Sequence, residues 1–305
     1  MECRLSIKAL PNSNYIIKIS TRKILHRENI FVKNNRGVIM SLNQNRIVVK
    51  VGTSTLTNDI GQNNLRSFDR LSCVISDIHN LGYEIILVSS GAIAIGSNKL
   101  KMKSRPENMR LKQAAAAVGQ CSIMFLYDKF FSDYDKTIAQ ILLNAEDIEI
   151  EEKKENLTNT FGALLEMGII PIVNENDSVS YTEIESEDKL FGDNDMLSAV
   201  VAILCGAQKL VILSDIDGFY DSDPRLHPGA KLIKRIDTID ESIQSLAGGA
   251  GSRRGTGGMK TKLQAAQLAT AQGIDTIITN GKNPEALYDI VNGKSVGTLF
   301  KGEAF

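Results

Sequence analysis

The chain has 305 residues, 43% of them apolar and 23% charged, which is enough to bury a full core as one large domain or two modest ones. Lys and Arg total 35 and Asp and Glu total 36, so no overall positive field draws the molecule onto nucleic acid or an anionic membrane. No apolar run reaches the length of a bilayer-spanning helix. We therefore expect a soluble globular protein without nucleic-acid or membrane partners.

Cysteines and histidines form no recognisable metal or disulfide pattern. The four cysteines lie far apart without a CxxC pair, and the three histidines lack partners at the spacing of a metal site or a Ser-His-Asp triad. We predict reduced cysteines, no metal-ligating cluster of side chains and a cytoplasmic location.

The first 39 residues are rich in Lys and Arg, with only Glu2 and Glu28 as acids. They lack the apolar segment and cleavage site of a secretory signal. A transit peptide is one interpretation; a non-essential extension, or an upstream start codon with Met40 as the natural beginning, is favoured. The predicted organisation is a basic extension over residues 1–39, outside the core, and one folded domain over residues 40–305.

From Arg46 onward, short β-branched runs alternate with longer segments of helical periodicity, which is typical of βαβ units and a mainly parallel sheet. The predicted strands are 47–51, 85–88, 137–142, 169–173, 210–213 and 276–279. The predicted helices are 65–80, 108–131, 153–167, 196–204, 259–272 and 284–291. Small and polar residues follow most of these strands, and in a parallel sheet they gather at the carboxyl edge, where ligands bind.

Lys50 lies inside the apolar first strand, just before Gly52. Desolvating an ammonium group there costs free energy unless an anion pairs with it, and a bound phosphate would be such an anion. The alternative is a lysine that extends to solvent from an edge strand.

Polar segments after the second and fourth strands could bind a small zwitterion. Ser90 offers a hydroxyl and neighbouring amides that suit a carboxylate, or it is only a helix N-cap. Asn174, Asn176 and Asp177 could receive an ammonium group, or they form a polar turn. The long acidic connection 178–192 is interpreted as a lid over a substrate.

Asp195 lies in the segment Gly192-Asp193-Asn194-Asp195, where a helix is predicted to begin. It could cap that helix, hold Lys50 and a second lysine in position, or engage Mg²⁺ bound to a nucleotide. Ser214 and Asp215 could border a nucleotide, or form an ordinary turn at a strand end.

The glycine-rich segment 255–258 runs directly into a predicted helix, so free backbone N–H groups and the positive end of the helix dipole can meet a phosphate there. Lys262, one turn into that helix, could reach the same phosphate. A plain flexible loop is the alternative, and neither a Walker A nor a GxGxxG pattern fits the chain. Lys50 and Lys262 together favour a clamp on a transferring phosphoryl group.

Several stretches in fixed order resemble the amino-acid kinase family, most closely its branch that phosphorylates glutamate. They fall between residues 46 and 302 and are VVKVGTSTLT from Val48, VSSGAIAIG from Val88, AAVGQ from Ala116, PIVNENDSV from Pro171, FGDNDMLSA from Phe191, SDIDGFYDSDPR from Ser214, GTGGMKTKLQAA from Gly255 and SVGTLF from Ser295.

The resemblance implies an α/β fold, a three-layer αβα sandwich with a mainly parallel central sheet, and ATP-dependent phosphorylation of the side-chain carboxylate of L-glutamate, the first step of proline biosynthesis. It implies that Lys50 and Lys262 stabilise the transferring phosphoryl group while Asp195 orients them. It implies glutamate binding by Ser90, Asp177 and Asn194. The implied ATP-binding residues are Lys50, Ser214, Asp215, Thr256, Gly257, Gly258, Met259, Lys260, Thr261 and Lys262. It further implies Mg²⁺ with ATP, a homodimer or homotetramer, and feedback inhibition by proline.

The sequence departs from the family pattern in three places. Many members continue into a PUA domain, whereas this sequence ends shortly after SVGTLF and is expected to lack one. The acidic stretch 183–188 is longer than in compact members, and the basic leader matches nothing in the family. Relatives of this fold act on N-acetylglutamate, aspartate, UMP or carbamate, so the acceptor assignment rests on NENDSV and FGDND. A non-catalytic module is the other alternative, and retention of Lys50 and Lys262 argues against it.

Overall fold

The computed structural model describes residues 3–9, 15–21, 29–33, 39–42, 45–58, 62–179, 193–247 and 258–303. Its strands are β1 (Cys3–Ala9), β2 (Tyr15–Thr21), β3 (Asn29–Lys33), β4 (Ile39–Leu42), β5 (Arg46–Val51), β6 (Glu84–Val88), β7 (Ile138–Leu143), β8 (Ile170–Glu175), β9 (Lys209–Ser214), β10 (Arg235–Ile236), β11 (Asp275–Asn280) and β12 (Thr298–Phe300). Its helices are α1 (Thr53–Leu56), α2 (Leu65–Asn80), α3 (Ala92–Lys99), α4 (Met109–Asp133), α5 (Glu146–Glu149), α6 (Glu151–Glu166), α7 (Asn194–Leu204), α8 (Glu241–Leu246), α9 (Met259–Thr270) and α10 (Ala286–Val291). None of the helices in these ranges is long and apolar enough to cross a membrane.

An eight-stranded sheet in the order β10-β12-β11-β9-β5-β6-β8-β7 forms the centre of the fold. All neighbouring strands are parallel except β11 and β12, which pair antiparallel. One face of the sheet packs against α6, α7 and α9 and the other against α2, α3, α4 and α10, in two separate apolar clusters. The predicted αβα sandwich with a mainly parallel sheet is therefore confirmed.

The strands β1 to β4 form a second, antiparallel sheet in the order β1-β2-β3-β4. Sequence patterns did not predict these strands, because the segment was interpreted from its charge alone. The boundary predicted between residues 39 and 40 falls inside β4. That residues 1–39 lie outside the core stays a prediction.

Side-chain alternation along β5 decides which layer receives Lys50. Ile47, Val49 and Val51 join the apolar cluster of α2 and α4, whereas Val48 joins the cluster of α7 and α9. Because successive side chains of a strand point to opposite faces, Lys50 lies on the same face as Val48. The Lys50 ammonium group therefore lies in the layer that contains α7 and α9.

The predicted strands and helices are all present, with ends that shift by a few residues. The sequence did not predict α3, because its residues Ala92-Ile93-Ala94-Ile95-Gly96 follow a turn-like Ser-Ser-Gly and have no polar face. Also missed were β10 and β12, which have only two and three residues.

Close contact between α3 and α4 depends on two glycines. A Cβ added to Gly96 would lie 1.8 Å from the carbonyl oxygen of Ala115, and one added to Gly119 would lie 1.8 Å from that of Ala92. Real side chains cannot occupy such positions, so the two backbones can touch only because both residues lack a Cβ. The contact fixes the beginning of α3, directly after Ser90 and Gly91, against the middle of α4.

Candidate active site

Two buried lysines meet on one buried carboxylate at the carboxyl edge of the large sheet. Lys50 Nζ lies 2.6 Å from Asp195 Oδ1, and Lys262 Nζ lies 3.0 Å from Asp195 Oδ2. Asp195 is 0% exposed, Lys50 5% and Lys262 7%. We call Lys50, Asp195 and Lys262 the lysine centre. It joins side chains from β5, α7 and α9.

Burial and charge act in opposite directions in the lysine centre. Burial alone would raise the pKa of Asp195, but the charges and hydrogen bonds of Lys50 and Lys262 hold that pKa well below its ordinary value. Burial lowers the pKa of Lys50, while the charges of Asp195, Asp193 and Asp215 outweigh it and raise that pKa above its ordinary value. The site therefore holds a cationic Lys50 and an anionic Asp195 at neutral pH.

Asp193 and Thr261 connect the first turns of α7 and α9 beside this centre. Asp193 is the N-cap of α7, and its carboxylate accepts a hydrogen bond from the backbone N–H of Asp195 at 3.2 Å. The Thr261 hydroxyl lies 3.0 Å from Asp193 Oδ2, 3.1 Å from Asp195 Oδ2 and 3.0 Å from the Gly258 carbonyl oxygen. Asp195 is thus not the cap of its helix, and both of its carboxylate oxygens face hydrogen-bond donors.

A first cavity of about 300 Å³ adjoins the lysine centre through Lys262. Ser214 and Asp215, predicted to border a nucleotide, line it together with Gly258 and Met259 at the start of α9. The Ser214 hydroxyl contacts Asp215 Oδ1 at 3.2 Å. Lys260 is exposed, and the predicted residues Thr256 and Gly257 lie outside the part of the chain that the structure describes.

Asn194 links the lysine centre to the end of β6. Its Nδ2 atom donates to the Ser90 hydroxyl at 2.9 Å and to the Ser89 carbonyl oxygen at 2.9 Å. Ser90 is not the N-cap of α3, because Gly91 occupies that position with a φ of 100°, a left-handed conformation that glycine adopts without strain. The Ser90 hydroxyl therefore faces Asn194, next to Asp195.

A second cavity, of about 440 Å³, lies between α4 and the ends of β7 and β8, and Gln120, Gln140 and Asp177 line it. Burial raises the pKa of the Asp177 carboxyl group to about 6, although the charge of Arg105 opposes the shift. The structure thus places Asp177 at a cavity wall. The predicted lid continues into residues 180–192, which lie outside the described ranges.

No group of three or more His, Cys, Asp or Glu side chains in the described ranges could hold a metal ion. Both oxygens of Asp195 are paired with lysines, so this carboxylate is not free to ligate a metal. Asp215 remains at the wall of the first cavity. This donor set fits an ion that is carried on nucleotide phosphates, which needs few protein ligands.

Sequence reasoning did not single out Asp193 or Gln120 as site residues, and it named Asn174 only as part of a segment that receives an ammonium group or forms a polar turn. Asn174 is 1% exposed, donates to Gln120 Oε1 at 2.8 Å and accepts from Asn194 Nδ2 at 3.1 Å. A polar Gln120 within the alanine-rich stretch AAVGQ was the one available signal. The contacts themselves join three elements far apart in the chain.

A buried ion-paired lysine centre beside a cavity, at the carboxyl edge of this sheet, defines a candidate phosphotransferase site. The sequence profile of the amino acid kinase family matches residues 45–280. The chain therefore belongs to the amino acid kinase family.

Within the family, the chain is similar to glutamate 5-kinases. Glutamate 5-kinase of Clostridium perfringens is 57% identical over 261 residues, which are 85% of this chain and 97% of that protein. Glutamate 5-kinase of Listeria welshimeri is 50% identical over 265 residues, 86% of this chain and 96% of that protein.

Among solved structures, the fold is similar to those of a carbamate kinase and a UMP kinase. Carbamate kinase from Giardia lamblia bound to AMP-PNP has a TM-score of 0.61 at 16% identity, over 86% of this chain and 100% of that one. UMP kinase from Bacillus anthracis has a TM-score of 0.58 at 16% identity, over 85% of this chain and 97% of that one. At this identity the likeness concerns the fold alone.

Proposed function

We propose that this chain is an ATP-dependent kinase that phosphorylates the side-chain carboxylate of L-glutamate, giving L-glutamyl 5-phosphate and ADP, the first step of proline biosynthesis. The observation that carries the proposal is the lysine centre at the edge of a cavity lined by Ser214, Asp215 and Lys262. The glutamate 5-kinases that are 57% and 50% identical to the chain support glutamate as the acceptor.

In this proposal Lys50 and Lys262 neutralise the charge that spreads over the transferring γ-phosphoryl group. Phosphoryl transfer requires alignment of attacking and leaving oxygens and charge stabilisation, with little covalent chemistry by the protein. Asp195 holds both ammonium groups in place and preorganises them before the nucleotide arrives. The glutamate carboxylate then attacks the γ-phosphorus directly, and no phosphoenzyme is needed.

The nucleotide and the acceptor approach the lysine centre from its two sides. We assign ATP to the first cavity, with Ser214, Asp215 and the segment from Thr256 to Lys262. We assign glutamate to the side of Ser90, Asn194 and Asp177. Asn194 supports this division because it directly precedes Asp195 and contacts Ser90.

Use of ATP with a divalent metal follows from membership in the family, and we propose that the metal is Mg²⁺. Bound to ATP, Mg²⁺ supplies further neutralisation of phosphate charge. Asp215 and Asp217 are the two carboxylates among the described residues of the cavity wall. Asp215 is the one that would hold the ion, since Asp217 accepts a hydrogen bond from Asn280 and Asp195 is committed to the lysines.

We further propose a homodimer or homotetramer, inhibition by proline and a cytoplasmic location. Support for the first two is the family resemblance, and support for the third is that Cys73, Cys121 and Cys205 are free thiols. Sedimentation measures the oligomeric state. The glutamate-dependent rate with added proline measures the inhibition.

The acceptor is tested by assaying ATP consumption with glutamate, N-acetylglutamate, aspartate, UMP and carbamate side by side. Hydroxylamine in the assay traps an acyl phosphate as its hydroxamate. We expect glutamate-dependent ADP release together with glutamyl hydroxamate. A faster reaction with another acceptor, or no hydroxamate with glutamate, would contradict the proposal.

Lys262→Met tests the phosphoryl clamp. Loss of an ammonium group that acts on the transferring phosphoryl group should lower kcat by about a thousand-fold or more. Lys50 still pairs with Asp195 in this variant, so the protein should remain folded, as circular dichroism would report. Lys294→Met, at a side chain that is 68% exposed, is the control and should keep full activity. Normal kcat in Lys262→Met would remove the mechanism.

A further inference from the structure

Gln120 has a fixed place in the wall of the second cavity. It is 9% exposed and directly follows Gly119, whose missing Cβ lets α4 touch the backbone of α3. Substrate-facing groups on packed helices are held more precisely than groups on loops. Gln120 is therefore rigidly placed before any ligand binds.

Backbone groups fix the orientation of a chain of three amides, Gln120, Asn174 and Asn194, which we call the amide chain. Asn194 Nδ2 donates to the Ser89 carbonyl oxygen, which can only accept. Asn174 Oδ1 accepts from the backbone N–H of Glu175 at 3.0 Å, which can only donate. Asn174 Nδ2 must therefore donate to Gln120 Oε1. The other amide atom of Gln120, Nε2, points away from this bond and is left to donate to another group.

Gln120 Nε2 is a buried donor without a hydrogen-bond partner in the described part of the chain. Leaving a buried donor unsatisfied is energetically costly, so such a group indicates a position where a ligand would supply the acceptor. An ammonium group cannot be that acceptor, because it only donates. A carboxylate can.

The second cavity thus presents a donor amide at Gln120 and a carboxylate at Asp177. These two groups match the two charged groups on the α-carbon of a free amino acid, its carboxylate and its ammonium. The amide chain also ends at Asn194, which directly precedes Asp195 in the lysine centre. A single amino acid can therefore have its α-carbon groups in the cavity and its side chain near the lysine centre.

We propose that Gln120 Nε2 donates a hydrogen bond to the α-carboxylate of the acceptor and so selects amino acids in which this carboxylate is free. The proposal deepens the proposed function and rests on it. Asn174 is a positioning residue. Its Nδ2 atom orients Gln120, and its Oδ1 atom orients Asn194.

Gln120→Glu is the decisive variant, because a carboxylate still accepts from Asn174 but replaces the Nε2 donor by an oxygen. The KM for glutamate should rise about ten-fold or more, the value of one charge-assisted hydrogen bond, while the KM for ATP stays unchanged. The ratio of kcat/KM for glutamate over glutamate α-amide should fall, because an α-amide can donate to the new carboxylate. An unchanged KM for glutamate overturns the proposal.

Gln272→Glu is the matched control. Gln272 is exposed, lies just past the end of α9 and lines neither cavity, so this variant adds the same charge away from the amide chain. We expect a KM for glutamate close to that of the unaltered chain. An equal rise in both variants would mean that the added negative charge weakens binding wherever it lies, and it would overturn the role of Gln120.

A second substitution covers the case that Gln120→Glu does not fold. Gln120→Met has no donor and should raise the KM for glutamate by about the same factor. If neither the KM for glutamate nor the acceptor ratio changes in a folded variant, the inference fails while the proposed function stands. If the unaltered chain forms no glutamyl hydroxamate, the proposed function fails first.

Discussion

Asp177 has an elevated pKa, and this predicts how glutamate binding depends on pH. Its carboxyl group, with a pKa of about 6, becomes neutral as the pH falls through that value and then no longer attracts an ammonium group. The pH dependence of kcat/KM reports the pKa values of groups in the free enzyme, so kcat/KM for glutamate should fall below about pH 6. Initial rates measured from about pH 5 to about pH 8 check this.

Asp177→Asn is the control for that profile. Its kcat/KM should be lower at neutral pH and lack the step near the pKa of Asp177. A step that persists unchanged in the variant would assign the titration to another group.

Thr261 lies between two carboxylates, and its hydroxyl should matter more for turnover than for nucleotide affinity. Thr261→Val removes a donor beside Asp193 and Asp195 and lets Asp195 reorient. We expect kcat to fall about ten-fold with little change in the KM for ATP, and Thr261→Ser to restore it. Steady-state kinetics measure both.

Thr270→Val, at a buried threonine of the same helix whose hydroxyl contacts Gln267, is the matched control. It should leave kcat unchanged. If Thr261→Val raised the KM for ATP and left kcat unchanged, the Thr261 hydroxyl would instead contact the nucleotide.

At the residue level, the sequence predicted which groups meet in the lysine centre, because Lys50 lies near the carboxyl end of a strand and Asp195 and Lys262 lie in the first turns of helices at the same sheet edge. The amide chain could not be predicted in this way. Its contacts depend on the rotation of α4 about its axis and on the orientation of three side-chain amides. Neither property leaves a periodic signal in the sequence.

The contact of α3 with α4 makes Gly119 a sensitive position. Gly119→Ala would force a Cβ to within 1.8 Å of the Ala92 carbonyl oxygen, so the helices must separate. We expect a loss of about 1–3 kcal/mol in the free energy of unfolding, measured by denaturant titration, and a higher KM for glutamate because Ser90 and Gln120 move apart.

Gly162→Ala in α6 is the control, since nothing lies within 4 Å of the added Cβ. It should stabilise the protein by about 0.5–1 kcal/mol through better helix propensity. Equal stability changes in both variants would mean that the close contact is unimportant.

Long helices and strands were predictable because burial of one face spaces the apolar residues regularly along the sequence. The helix α2 is an example: its predicted range, 65–80, agrees with Leu65–Asn80. Short elements depend on tertiary contacts instead. Thr298 of β12 is 0% exposed, and its hydroxyl accepts a hydrogen bond from the Phe219 N–H at 2.7 Å, a partner that no local pattern reveals.

For the whole molecule, the family match begins at residue 45, after the antiparallel sheet of β1 to β4. Deletion of residues 1–44 should leave kcat/KM and the melting temperature unchanged, because the lysine centre and both cavities use later residues. The hydroxamate assay and thermal unfolding measure the two quantities. A truncated chain that fails to fold would show that the leader is part of the core.

The lysine centre also has a consequence for synthesis on the ribosome. Lys262 follows Asp195 by 67 residues and belongs to a late helix, whereas Lys50 belongs to the first strand of the large sheet. Until α9 has been synthesised, Lys50 is the one member of the lysine centre that can pair with Asp195. The lysine centre therefore forms only after α9 has left the exit tunnel, and under the proposed function a product that terminates before α9 should not turn over ATP.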